Sequence, residues 1–301
     1  MEINFFKLSL YYLCMKFTIN LLKKLIAPGQ EICVFSENAS LLLYKYHSDK
    51  FQNFSKRSYY FWRKGLKPIP LSVLIEIMNE RNIKEIKISS FSIKGGNKLV
   101  FNSEKEISFS YFLGLLLGDG CLIHTKRDNN RNTCLVQISF RYKEDSEKIK
   151  SLCQKMFSIS PSIYKGKGCF NLCIFSKPLV FILNKKYEIP LGKKYSSIKV
   201  PEIILKGTKK NKIAFLKGVF DSDGNIYLHR GRKSVQLRQK SKKFLIELFE
   251  LFKKVNINFN FPYYDKANNS WLLWSSKKEL VDNFIKKITN FNIEASVAQP
   301  G

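Results

Sequence analysis

A segment that occurs twice constrains this chain more than any other feature. Tyr111-Phe112-Leu113-Gly114-Leu115-Leu116-Leu117-Gly118-Asp119-Gly120 returns as Ala214-Phe215-Leu216-Lys217-Gly218-Val219-Phe220-Asp221-Ser222-Asp223-Gly224. The residues after each copy repeat as well. After the first come strand-like Cys134 to Phe140, the basic bend Arg141-Tyr142-Lys143 and a helix from about Asp145 to Phe157. After the second come Ser234 to Leu237, then Arg238-Gln239-Lys240 and a helix from about Ser241 to Val255. Asn171 to Phe175, leading into Ser176-Lys177-Pro178-Leu179, is echoed by Trp271 to Trp274 and Ser275-Ser276-Lys277-Lys278. The order helix, two strands, helix, two strands, helix therefore occurs twice, and such a duplication predicts a pseudo-twofold molecule.

The repeated helices are apolar at nearly every position, so they are expected to be buried on all sides. Their small residues stand four apart, Gly114 and Gly118 in one copy and Gly218 and Ser222 in the other. Residues four apart share a helix face. Two such stripes let helices approach backbone to backbone, closer than ordinary side-chain ridges allow. Each helix ends at Asp-Gly, where Gly120 and Gly224 are expected to take the left-handed conformation of a helix cap. Asp119 and Asp223 then stand at helix C-termini, where the dipole is already negative and a carboxylate is disfavoured. Two carboxylates brought together there disfavour each other as well. A hard divalent cation resolves both conflicts. Mg²⁺ suits the place, with Mn²⁺ substituting, because it needs few protein oxygens beside waters and substrate phosphates. Carbonyl oxygens near Gly118 and Ser222 are candidates to complete its shell.

Composition points to the same class of chemistry. Against 24 Asp and Glu stand 52 Lys and Arg, a net charge of +28. That excess self-repels in a compact state and calls for a polyanionic partner. Nucleic acid is the leading partner, and an anionic membrane surface is second. Seven cysteines form no CxxC and have no neighbouring His pair, which speaks for a reducing compartment and against a zinc site. No apolar run reaches the length of a membrane span. Leu8 to Met15 has a leader-like run, but Lys16 comes next without a small-residue cleavage site. Met15 is an alternative start. An intracellular, unsecreted protein is expected.

The N-terminal hundred residues read differently. An amphipathic segment carrying Phe17, Leu21, Leu22 and Leu25 ends at Pro28-Gly29. Residues 31–82 read as three or four short helices, one from Ser55 to Gly65 and one carrying Leu71, Val73, Leu74, Ile77 and Met78. The pair resembles a helix-turn-helix with Arg63 on its recognition helix, the alternative being a helical cap with a solvated basic face. Ile83 to Val100 reads as a hairpin or linker.

Taken with the duplication, Tyr111 to Gly120 and Phe215 to Gly224 resemble the two signature helices of the LAGLIDADG homing endonucleases of the single-chain, two-motif type. The resemblance covers about Ser108 to Asn292. It implies an α+β fold: a pseudo-twofold pair of αββαββα half-domains, with curved antiparallel sheets packed across the two central helices, here with an added N-terminal helical domain. The expected boundaries are 1–100, 101–205 and 206–301. It also implies a monomeric, metal-dependent endonuclease that cuts both strands of a long, asymmetric double-stranded DNA target, with no obligate protein partner and no membrane. Asp119 and Asp223 take the metal-binding positions. Lys143 and Gln239 match a Gln or Lys placed just after the second sheet segment of each half, and Lys193 or Lys194 matches a basic residue that polarises phosphate or water, Lys194 being preferred. Lys286 and Lys287 are weaker matches in the second half. DNA contacts fall to outward-facing sheet residues: Lys126, Arg127, Arg131, Gln137, Ser139 and Arg141 in the first half, and Tyr227, His229, Arg230, Arg232, Gln236 and Arg238 in the second. One departure is Leu117, which stands where the second motif has Asp221. The chain also lacks the terminal residues of a protein-splicing element, so a free-standing enzyme is expected. Two rival functions share the fold: a cleavage-dead transcription regulator and an RNA-splicing maturase.

Overall fold

The structure is a computed structural model. It describes residues 15–25, 32–36, 39–40, 42–43, 55–93, 98–100, 106–126, 132–192, 198–229 and 231–293. The chain divides into two compact units, one of residues 1–104 with 153–160 and 176–186, the other of residues 105–152, 161–175 and 187–301.

The first unit starts with β1 (Met15–Thr18), α1 (Ile19–Leu25) and β2 (Ile32–Phe35). Next come α2 (Lys56–Arg63), β3 (Ile69–Pro70), α3 (Leu71–Glu80), β4 (Glu85–Ile88), β5 (Ser90–Ile93) and β6 (Leu99–Val100). β1 pairs antiparallel with β4, and the other strands form a sheet in the order β3-β2-β5-β6. Phe17, Leu22, Val34, Leu74, Ile77, Met78 and Phe91 fill the core, with the Phe17 and Phe91 rings edge to face at 5.0 Å. The helical N-terminal domain expected from sequence is thus a mixed α/β unit. Its strands are short, and their partners lie far away in sequence, Met15 opposite Ile88 and Val34 opposite Phe91. Neither segment of such a pair names its partner, whereas the hairpin read over Ile83 to Val100 is present as β5 and β6, Ser90 lying opposite Val100. α2 begins at Ser55, whose Oγ accepts from Ser58 N at 3.2 Å, as N-cap chemistry requires. Between α2 and α3, residues 64–70 include β3, in place of the three- or four-residue turn that joins a helix-turn-helix.

In the second unit the duplicated order is plain. α4 (Glu106–Gly118), β7 (Gly120–Lys126), β8 (Asn132–Phe140), α5 (Lys143–Phe157), β9 (Ser162–Lys165), β10 (Phe170–Phe175) and α6 (Lys177–Lys185) make the first copy. The end of α5 and all of α6 belong to the first unit. After a short α7 (Glu202–Lys206) the second copy runs α8 (Lys209–Asp223), β11 (Gly224–His229), β12 (Arg232–Gln239), α9 (Lys242–Lys254), β13 (Tyr263–Asp265), β14 (Ser270–Ser275) and α10 (Lys278–Phe284). The two sheets have one topology, β7-β8-β10-β9 and β11-β12-β14-β13, antiparallel throughout. Alternation along the strands sorts their faces. Leu122, Val136, Ile138, Leu172 and Ile174 are fully buried on the inner face of one sheet, and Val235, Leu237 and Leu273 on that of the other. In the second copy Phe220, Phe252 and Phe259 gather around Phe284, with ring centroids 4.6–6.0 Å apart.

Candidate active site at the paired helix ends

α4 and α8 run side by side in the same direction. At their starts the buried Asn211 Nδ2 donates to Ser110 Oγ at 3.1 Å. Asn211 also closes a capping box with Thr208 at the head of α8, so one side chain both starts a helix and ties it to its twin. Midway, Gly114 and Gly218 meet. A methyl at Gly218 would fall onto Tyr111 O, 2.9 Å from Leu115 N and 3.0 Å from Gly114 Cα, and one at Gly114 would lie 2.8 Å from Val219 N. Beyond them a methyl at Gly118 would strike Ser222 and approach Asp223 Oδ2 to 3.0 Å. The Asp223 carboxylate therefore lies against the last turn of α4, one residue before Asp119. Along the outer edge, Tyr111 OH donates to Asp221 Oδ2 at 2.9 Å, and Lys217 Nζ reaches Asp221 Oδ1 at 3.2 Å. Burial, reinforced by the Asp221 charge, pushes the Tyr111 hydroxyl above the usual phenol range, so it stays a donor.

The Asp-Gly turns differ from expectation. Gly224 has φ −98° and ψ 160°, which is extended backbone, and Gly120 is not among the left-handed glycines. Glycine is needed there for space. Each copy turns directly from helix into strand and folds back over its own last turn, so a methyl at Gly120 would lie 2.8 Å from Leu116 Cα and one at Gly224 would enter the Phe220 ring.

Asp119 and Asp223 line one cleft of about 730 Å³. Its walls include Leu117 and Gly118, Gly192 and Ile198, and, from the second copy, Arg238, Gln239, Lys240 and Asn268. Gln239 is buried and its Nε2 donates to Asp223 Oδ2 at 2.6 Å, which fixes the plane of the carboxylate. Arg238 Nη1 contacts Asp265 Oδ2 at 2.6 Å and Ser270 Oγ at 3.0 Å. Hydrogen bonds from Asn268 and Arg238 hold the Asp265 carboxyl below the usual range. Sequence reasoning missed Lys240, Asp265, Asn268 and Ser270 at this place. Asp265 to Asn269 is a turn, and nothing local ties a turn to a strand thirty residues earlier.

Strand register relates the two copies residue by residue. Gly120 lies opposite Ile138, and Gly224 opposite Leu237. Two residues further stand Phe140 and Gln239, so the first copy has Phe140 where the second has the amide that holds Asp223. Lys143, matched to Gln239 by sequence, is instead the exposed first residue of α5 and does not line the cleft. Lys193 and Lys194 lie outside the described residues. The Ser222 hydroxyl donates to Gly218 O at 3.0 Å, so it serves the helix.

Among the sheet residues named for DNA contact, Gln137 and Ser139 both donate to Asn171 Oδ1, at 3.3 and 2.8 Å. Tyr227 OH accepts from Trp274 Nε1 at 3.1 Å. Gln236 is half-buried and Arg232 exposed. Arg141 is exposed, with its guanidinium 5.5 Å from the Tyr142 ring. Arg127, Arg131 and Arg230 lie outside the described residues, as do the side chains of Lys126 and His229. Arg63 belongs to the first unit, stacked over Tyr59 at 5.8 Å. Lys287 donates to Val255 O and Asn256 O, capping the end of α9.

The two twin helices end in acids and lead into sheets of the same topology, and the second copy has a counterpart among known families. Residues 210–296 match the family model described as the LAGLIDADG-like domain. Solved structures show a similar fold. A structure of mesophilic variants of the homing endonuclease I-DmoI is 20% identical with a TM-score of 0.50, covering 63% of this chain and 98% of that one. A crystal structure of I-DmoI in complex with DNA and Ca has a TM-score of 0.51 at 22% identity, covering 63% and 92%. Among curated proteins, a probable translation initiation factor IF-2 of Methanocaldococcus jannaschii is 27% identical over 57% of this chain and 17% of its own length. The replication factor C small subunit of the same organism is 26% identical over 65% of this chain and 12% of its own length. The similarity thus occupies a small part of each of these factors.

Proposed function

We propose that this chain is a site-specific, double-strand DNA endonuclease that hydrolyses phosphodiester bonds at a metal site held by Asp119 and Asp223. The observation that carries the reading is their convergence: two carboxylates, at the ends of helices packed backbone to backbone, open into one cleft in a chain of net charge +28. Such a pair would be a liability in a purely structural helix interface. The donor set fits a hard cation. Among the described residues no group of three or more His, Cys, Asp or Glu is placed to hold a metal ion, and in the cleft the carboxylates come from Asp119 and Asp223. That suits Mg²⁺, or Mn²⁺ in its place, which keeps waters and takes phosphate oxygens.

A divalent ion there supplies Lewis acidity to a phosphate and lowers the pKa of a water. The chain's own residues do the rest. Gln239 holds the Asp223 carboxylate in a fixed plane through its 2.6 Å bond. The Gly114–Gly218 contact sets the separation of the two helix ends. Lys240, on the cleft wall, presents positive charge to the DNA backbone. Both sheets offer an outward face for the grooves, and a long target read by two unlike sheets is asymmetric. Two factors of different names each match this chain over only 17% and 12% of their own length, which supports a self-contained module whose activity is separate from theirs.

The test is incubation of the full chain with a randomised duplex library and Mg²⁺ or Mn²⁺, then sequencing of cut ends. An enriched site cut in both strands is expected, with cutting lost in EDTA and in Asp119→Asn or Asp223→Asn while binding survives. Equal cutting by either variant would remove these acids from the chemistry.

A further inference from the structure

The two sheets are alike in topology but not in the faces they present. Residues on the outer face lie in cross-strand rows. In the first sheet, counting away from Asp119, they are Ser139–Asn171–Tyr164, then Cys121–Gln137–Cys173, then Ile123–Leu135–Phe175. In the second sheet the matching rows are Arg238–Leu272–Tyr263, then Asn225–Gln236–Trp274, then Tyr227–Ser234. At equivalent places Ile123 and Leu135 replace Tyr227 and Ser234, and Cys121 replaces Asn225.

Among the described strand residues the first outer face has no charged side chain. It does carry exposed apolar surface, with Phe175 47% and Tyr164 51% accessible and their rings edge to face at 6.4 Å. Ile123 and Cys121, two strands away on β7, are half-buried, and Leu135 between Ile123 and Phe175 is buried. A patch of this kind on a protein of net charge +28 marks a binding surface. Its polar members are fixed in advance, because Gln137 and Ser139 share Asn171 Oδ1.

We infer that the two sheets read DNA by different chemistry, the first sheet recognising thymine C5-methyl groups through Ile123 and Phe175, the second reading base edges through polar groups. This rests on the endonuclease reading of the same molecule. The thymine methyl is the apolar feature of the major groove, and aliphatic and aromatic side chains are its natural partners. Polar groups are the edge readers, and Arg238, Gln236 and Asn225 occupy the equivalent face of the second sheet. Strand rise sets the address. Ile123 lies three residues beyond Gly120, about 10 Å along the strand, which is roughly three base pairs of duplex.

The test selects duplexes bound by the full chain from a randomised library in EDTA, so that cutting cannot interfere. The selected duplex is then resynthesised with deoxyuridine replacing thymine in one half at a time. Thymine enrichment is expected in one half-site only, with affinity falling about fourfold per contacted methyl removed and the other half indifferent. Ile123→Ser combined with Phe175→Ser should make that half indifferent too, while the untouched protein carries the test should this variant misfold. Two half-sites that respond alike to deoxyuridine, or a selected site with no thymine bias, would overturn the inference. So would self-association of the protein that Phe175→Ser abolishes, since a second copy would then cover the face. A thymine-biased site that is bound but not cut with Mg²⁺ upholds this inference and refutes the nuclease. A site that is cut but shows no methyl dependence does the reverse.

Discussion

Gly218→Ala tests the helix pair most directly. A methyl there would fall onto the backbone oxygen of Tyr111 and come 3.0 Å from Gly114 Cα, whereas carbon atoms in good contact sit about 3.5–4.0 Å apart. None of these neighbours is the flexible end of a side chain, so relief requires the helices to move apart by roughly 0.5–1 Å. Overpacking of this kind costs about 1–3 kcal/mol, a fall in Tm of roughly 2–10 °C. Lys210→Ala, exposed on the first turn of the same helix, serves as control and should change little. Displacement also reaches the chemistry, because Asp119 and Asp223 stand at the ends of these helices. A 1 Å misplacement can lower a rate about a hundredfold, so cutting should suffer far more than binding. Thermal denaturation monitored by circular dichroism, with single-turnover cleavage of a selected duplex, reads both effects. A Gly218→Ala protein as stable as the control would show that the helices do not meet backbone to backbone.

Other perturbations address single contacts. Gln239→Leu removes the donor on Asp223 Oδ2; Mn²⁺ affinity measured by calorimetry should fall about 10–100-fold, and unchanged affinity would deny Gln239 a positioning role. Tyr111→Phe deletes the bond to Asp221 and should cost about 1.5–3 kcal/mol by urea titration, while a change below about 0.5 kcal/mol would mean that this tie adds nothing. Lys186, whose Nζ lies 4.2 Å from the Phe17 ring, has its pKa lowered by burial to about 8, against a smaller opposing effect of Glu85. Between about 8 and the ordinary 10.5 the unfolded chain binds the extra proton and the folded one does not, so stability rises with pH across that window. The wild type should gain on Lys186→Met between pH 7.5 and 10 in paired urea titrations, and a constant gap would contradict the burial effect.

Elements that rest on local physics are legible in the chain itself. The all-apolar helices, the stripes Gly114–Gly118 and Gly218–Ser222, and the duplicated order of elements can all be read from neighbouring residues, and they lead to the fold class. The placement of Asp119 and Asp223 at the helix ends is legible for the same reason, although the Asp-Gly turns are extended where left-handed caps were expected. Three features need the fold. β1 and β2 find their partners far along the chain, so a unit that reads as helical is a sheet with helices. The first-copy counterpart of Gln239 is Phe140, because counterparts are set by strand register and not by the similarity of the basic bends nearby. Asp265 and Ser270 meet Arg238 across a sheet, with Asn268 holding Asp265, and no motif announces it. Which helices repeat and where their acids fall is written in the amino-acid order, because helix burial and termination are settled within a few residues. Which side chain holds Asp223, and which face each sheet turns outward, emerges from packing, because those contacts join segments that lie far apart along the chain.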